Sequence, residues 1–238
     1  MNRLILFTCA FSLLLSSCSD ERMTLTIGAA ASLALPLAEA ADSFAVRFPD
    51  IDVTISTAAS NVIVRQTLEG GPYDLVILAS PSLMERLDTA GAIDRSTIRI
   101  IGTNRLCLVV PDRIPTPKSL DDLRSPAFDR IAIGAPGVPV GEYAREVFEA
   151  SGLMQDIESK IIHGRNARDV LRYVEIDEVD AALVYRSDAV EGEGIRIALT
   201  VDSALHEPIL YPAAVPIEAG SVGEAFVDFL VDGGEWSW

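Results

Sequence analysis

Four points along the chain share one local pattern: a small or polar residue stands where a strand gives way to a helix. Ser32 follows Gly28-Ala-Ala-Ala31, and Ser60 follows Thr57-Ala-Ala59. The Val140-Gly141 step follows a proline-rich loop, and Asn166-Ala167 precedes another helix. A helix start carries N–H donors with no intrahelical partner and roughly half a positive charge. Serine and asparagine are favoured caps there, so each of these residues taken singly reads as a plain N-cap. Several such ends converging on one cleft would hold an oxyanion without a charged side chain.

Other chemistries find little support. Catalysis would have to start from Ser32, Ser60, His163 or His206. There is no Gly-x-Ser-x-Gly elbow, no Ser-x-x-Lys at a suspected nucleophile and no His-Glu-x-x-His. His206-Glu207 precedes a proline and reads as loop surface, and His163 as a strand end or surface residue. No Walker lysine follows the glycine-rich stretch 134–141, which argues against a nucleotide site. No cluster of His or carboxylate ligands accompanies the helix starts, so no bare metal cation and no cofactor is expected. The 19 Lys and Arg against 35 Asp and Glu give a formal net charge of -16. That argues against nucleic acid and against electrostatic membrane binding. It does not exclude a small anion held by backbone dipoles.

The elements that must position these residues alternate. β-branched segments are expected as strands at Met23–Ile27, Ile51–Ser56, Tyr73–Ala79, Leu106–Val110, Arg130–Ile133, Ala181–Tyr185, Ile195–Leu199 and Ile209–Val215. Helical periodicity covers Leu33–Phe48, Asn61–Glu69, Pro81–Ala90, Glu142–Ala150, Ala167–Glu175 and Gly220–Leu230. Strands alternating with helices predict an α/β architecture. The 238 residues allow one large domain or two small ones, and 49% hydrophobic with 23% charged residues is a globular composition.

The first 17 residues, one cation followed by a mostly apolar run from Leu4 to Leu15, read as a secretory leader too short to span a membrane. Leu15-Ser-Ser-Cys18 resembles a bacterial lipobox, which makes Cys18 the expected lipidation site. Cys9 leaves with the leader, so Cys107 alone remains and no intramolecular disulfide is expected. Within Arg-Leu-Cys107-Leu-Val-Val it reads as an inert core thiol.

Five segments in this order carry a resemblance: Ala29-Ala-Ala-Ser32-Leu; Ala58-Ala-Ser60-Asn61 with Arg65-Gln66; Ala135-Pro-Gly-Val-Pro-Val140-Gly-Glu-Tyr-Ala; Asn166-Ala-Arg-Asp-Val-Leu171; and Leu183-Val-Tyr185-Arg-Ser-Asp-Ala189. Together they resemble the periplasmic molybdate-binding proteins of ABC transporters, over residues 24–230. The resemblance implies a two-lobed periplasmic binding protein fold of type II. Its ligand cleft lies between the lobes and the chain crosses twice. Lobe I would be 24–102 plus 203–238, and lobe II 103–202. It implies a molybdate or tungstate oxyanion held by the hydroxyls of Ser32, Ser60 and Tyr185 and the backbone N–H groups of Val140 and Ala167. It further implies a non-enzymatic, exported, membrane-anchored monomer that delivers its ligand to an ABC permease and its ATPase; the alternatives left open are a receptor of the same fold for another oxyanion or a small carboxylate, and a sensor or interaction lipoprotein without a transport role. Two departures stand out. Against the resemblance, the C-terminal stretch Val231 to Trp238 reads as shorter than expected, and the last helix of lobe I is expected to be missing. Arg165 and Arg168 flank Ala167, and solvated or bracing positions are expected for them rather than a place in the cleft.

Overall fold

The computed structural model describes residues 22–233 and 236–237. The leader and Cys18 lie outside the described residues. In chain order the elements are β1 (Met23–Ala30), α1 (Ala34–Arg47), β2 (Ile51–Ala58), α2 (Ser60–Leu68), β3 (Leu75–Ile77), α3 (Pro81–Thr89), β4 (Arg99–Asn104) and β5 (Leu106–Pro111). There follow β6 (Ile131–Gly134), α4 (Pro139–Ala150), α5 (Met154–Ile157), β7 (Ile161–Gly164), α6 (Ala167–Glu175) and β8 (Ala181–Tyr185). The chain closes with α7 (Arg186–Glu191), β9 (Ile195–Thr200), β10 (Ile209–Ala214), α8 (Val222–Asp232) and β11 (Trp236–Ser237).

These strands form two sheets, ordered β11-β4-β10-β3-β1-β2 and β7-β6-β8-β5-β9. Each has parallel pairs, β1 with β2 and β3 in one and β6 with β7 and β8 in the other. Each also has one strand antiparallel to both neighbours, β10 in the first and β5 in the second. The chain passes from the first sheet to the second at Asn104–Leu106 and returns between Thr200 and Ile209. This is a two-lobed α/β fold with two crossovers.

Burial follows from the run lengths. β5, β6 and β8 are buried at every position, as expected for central strands covered on both faces. Leu106, Leu108 and Val110 face one layer of helices, and Cys107 and Val109 the other. In the first sheet Leu75 and Ile77 pack on one side, and Val76 and Leu78 on the opposite one. β2 alternates more exposed with more covered residues, the pattern of an edge strand.

Several expected boundaries move. α4 begins at Pro139, three residues before the expected Glu142, because proline suits the first helical turn, where its missing N–H costs nothing. α1 is preceded by a 3-10 turn at Ala31–Leu33 rather than starting at Leu33. The strand expected over Tyr73–Ala79 shortens to Leu75–Ile77. β4, α5, β7, α7 and β11 were not expected: α5, β7 and β11 have four residues or fewer, α7 opens on the polar run Arg186-Ser-Asp188, and β4 is interrupted by Gly102 and ends on the polar Thr103-Asn104.

Candidate functional site

Four elements bring their starts to one small chamber between the sheets. It is lined by Ala30, Ala31, Ser32, Ala59, Ser60, Ala79, Val138, Pro139, Val140, Ala167 and Tyr185. Every one of these residues is buried. All five candidate residues, Ser32, Ser60, Val140, Ala167 and Tyr185, are therefore together, supplied by both sheets' connections.

The serines are not helix caps. Ser60 is the first residue of α2, whose cap position is Ala59, and no side chain caps that helix. Ser32 sits inside the 3-10 turn, which also has no side-chain cap. Their hydroxyls are used elsewhere. Ser60 Oγ accepts the Ala79 N–H at 3.0 Å, which leaves the serine proton free to be donated. Ser32 Oγ lies 3.2 Å from the Tyr211 hydroxyl, itself buried. Asn166 does cap α6, accepting the Asp169 N–H at 2.9 Å, so the Ala167 N–H remains among the unpaired donors of that helix end. At α4 the proline at the first position has no N–H, and Val140 is the first residue with one to offer.

A close contact aims α4. A Cβ on Gly141 would lie 2.2 Å from the Gly134 carbonyl oxygen, so the first turn of α4 rests directly on the end of β6. Only glycine permits that approach. The turn before it uses Gly137 at φ +80°, and the Glu142 carboxylate accepts the Gly137 N–H at 2.7 Å.

Tyr185 closes the chamber from β8. Its hydroxyl is buried and has no hydrogen-bond partner among the described residues. Burial pushes the phenol well above its ordinary pKa, with Tyr211, Tyr143 and Asp188 adding to the shift, so the group stays a neutral donor.

The charged residues stand back. Arg165 is exposed and pairs with Asp169 at 2.6 Å. Arg168 reaches Glu191 at 2.7 Å and Asp188 at 3.3 Å, and neither arginine lines the chamber. Asp188 is fully buried and its oxygens make no hydrogen bond among the described residues; the Arg168 contact is a charge pair without hydrogen-bond alignment. Burial raises its pKa to about 7, opposed by Arg168 and assisted by Glu191. Cys107 is buried, its thiol pushed up to about 12 by burial and by Asp188, as an inert core thiol should be. His163 sits on β7 with Nδ1 3.4 Å from the Gly134 carbonyl, and His206 packs edge-on to Tyr143. Neither lines the chamber. Among the described residues no group of three or more His, Cys, Asp or Glu could hold a metal ion.

The chamber offers about 10 Å³ to the centre of a water-sized sphere. It suits one small ion and no organic ligand of ordinary size. Two larger grooves, of about 680 and 650 Å³, lie outside it, and the first presents the carboxylates of Glu142, Glu146 and Glu207.

Residues 25–233 match the family model of the bacterial extracellular solute-binding proteins. The chain belongs to this family. As a solute-binding protein it has curated relatives at comparable length. It is 31% identical over 214 residues to the molybdate-binding protein ModA of Escherichia coli K12, covering 87% of this chain and 82% of that one. It is 31% identical over 202 residues to a Bacillus subtilis strain 168 protein, YvgL, provisionally named an ABC transporter substrate-binding lipoprotein (84% of this chain, 77% of that one). The fold is shared with the periplasmic molybdate-binding protein of Azotobacter vinelandii, TM-score 0.77 at 19% identity, over 87% of this chain and 92% of that one. The members of this family are extracellular solute-binding proteins of bacteria.

The sequence reading missed the polar residues behind the wall. Asn104 and Tyr211 support Ser32, the Ala79 N–H supports Ser60, and Asp188 lies buried near both tyrosines. A polar Asn104-Arg105 step between two apolar strands was the available signal.

Proposed function

We propose that this solute-binding protein captures molybdate or tungstate in the small chamber and delivers it to an ABC permease powered by a cytoplasmic ATPase. The ion is held by the hydroxyls of Ser32, Ser60 and Tyr185 and the N–H groups of Val140 and Ala167. The observation that carries this reading is the Tyr185 hydroxyl, a buried donor without a partner, on the wall of a chamber sized for one small ion. Neutral donors suit a dianion, since hydrogen bonds to charged groups contribute about 1.5–3 kcal/mol each. A ligand that arrives protonated would set its own O–H against a donor. The name of the Escherichia coli relative supports the choice of oxyanion.

Binding bridges lobe I (24–102 plus 203–238) and lobe II (103–202), and so favours closure by a population shift. The protein acts as a monomer and uses no cofactor. It is exported and tethered through lipid on Cys18, consistent with the lipoprotein name of the Bacillus subtilis relative.

Isothermal titration of residues 19–238 with molybdate, tungstate, sulfate and phosphate tests the reading. Submicromolar binding of the first two and none of the others is expected. No binding of any oxyanion would overturn it.

A further inference from the structure

Behind the chamber wall three side chains form a row that runs from the first crossover to Ser32. Asn104 ends β4 and is buried, and its Oδ1 accepts the Arg105 N–H at 2.8 Å. That bond fixes which way the amide faces: its NH2 group points inward. Nδ2 donates to Ser187 Oγ at 2.9 Å and to the Tyr211 hydroxyl oxygen at 2.8 Å. An amide nitrogen has only protons to give, so the Tyr211 oxygen must accept, and the phenol proton goes elsewhere. The acceptor in reach is Ser32 Oγ, at 3.2 Å.

We propose that Asn104 and Tyr211 are positioning residues that hold the Ser32 hydroxyl as a donor toward a bound oxyanion. The inference rests on the oxyanion reading above. With its oxygen receiving the Tyr211 proton, Ser32 turns its own proton to the chamber. The opposite polarity, with Ser32 donating to Tyr211, would face serine lone pairs at the ion. That polarity would leave the buried phenol proton without an acceptor, because Asn104 presents its NH2 group to Tyr211 and Ser32 would itself be donating. Tyr211 keeps its proton at all ordinary pH, since burial drives the phenol upward more strongly than its bonds to Ser32 and Asn104 pull it down.

The row also spans the crossover. Ser187 lies on α7 beside the second sheet, whereas Tyr211 and Ser32 belong to the first. Asn104 gives one proton to each side. The amide is therefore seated by both lobes at once, and the Ser32 donor is set most firmly in the arrangement that brings α7 against the end of β4.

A double-mutant cycle tests the proposal. The purified protein, Ser32→Ala, Tyr211→Phe and the double variant are titrated with molybdate and with tungstate, and thermal unfolding confirms that each folds. Each single change is expected to weaken binding about tenfold or more. The double variant is expected to bind no more weakly than Ser32→Ala, because Tyr211 acts only through Ser32. Additive losses, or unchanged affinity in Tyr211→Phe, would overturn the proposal. If Tyr211→Phe does not fold, Asn104→Ala takes its place: a loss that vanishes in the Ser32→Ala background supports the row, and an additive loss overturns it. Failure of the unaltered protein to bind either ion would overturn the oxyanion reading instead. The row is then read without ligand, by NMR. A slowly exchanging Tyr211 hydroxyl proton close to the Ser32 β-protons is expected, and a proton directed elsewhere overturns the proposal.

Discussion

The Ser60 hydroxyl oxygen accepts the backbone N–H of Ala79 at 3.0 Å, which joins the start of α2 to the chain just after β3. One atom thus has two duties, structural as acceptor and, on the function proposed here, ligand-binding as donor. Ser60→Ala is expected to weaken molybdate binding by about 1.5–3 kcal/mol, the cost of losing a donor to a charged group. It should also lower unfolding stability by about 1–3 kcal/mol, because the buried Ala79 N–H is left unpaired. Titration reads the first effect and urea denaturation the second. Unchanged affinity would remove Ser60 from the site even if stability fell.

Gly141 is the position where a single methyl group should cost both folding and binding. A Cβ there would meet the Gly134 carbonyl oxygen at 2.2 Å, and backbone cannot move aside cheaply. Gly141→Ala is expected to lower stability by about 1–3 kcal/mol, the range for overpacking a tight interior. It should weaken oxyanion binding as well, since α4 would lift and carry the Val140 N–H out of line. A crystal structure with α4 unmoved would count against this view.

Asp188 should make the protein pH-sensitive near neutrality. Its pKa is raised from 3.8 to about 7, chiefly by burial, so the fold favours the protonated form. The stability this group contributes is complete below the ordinary carboxylate value and is lost as pH rises through about 7. The charges facing it are Arg168 on α6 and Glu191 on α7, and its own charge is felt at Tyr185 and Tyr211. Denaturation midpoints are expected to fall between pH 5 and 8, and Asp188→Asn to flatten that slope. Oxyanion affinity should fall over the same interval, because the ionised carboxylate opposes an anion nearby. An identical pH profile in Asp188→Asn would exclude this residue as the cause.

The Cys107 thiol should be silent in the native protein. With its pKa near 12 and no exposure, it stays protonated at pH 8, and the thiolate is the reactive form. A chromogenic disulfide reagent is expected to leave residues 19–238 unmodified until urea unfolds them. Rapid labelling under native conditions would show that β5 opens more readily than its burial implies.

The fold and the chamber wall were readable in the sequence for different reasons. Long apolar strands such as Leu106–Pro111 and Ala181–Tyr185 announce themselves because central strands are covered on both faces. The helix starts were visible because small and polar residues must stand there, and the resemblance supplied Tyr185. What stayed hidden depends on distances in space rather than along the chain. Ser32 and Tyr211 are 179 residues apart, and no local periodicity links them. The α4 start was misplaced by three residues because Pro139 reads as loop until the Gly134–Gly141 contact is known. Asp188 drew no reading of its own, because a carboxylate in a short polar run is usually solvated and nothing local marks this one as buried.

The narrowness of the chamber has a kinetic side. Every residue that lines it is buried, and it has room for little more than one ion. On the proposed function, cargo can leave only when the lobes part. Escape is then timed by the protein's own breathing, and two ions of unequal affinity could dissociate at one common rate. Their preference would lie in how often each is caught before the gap shuts again.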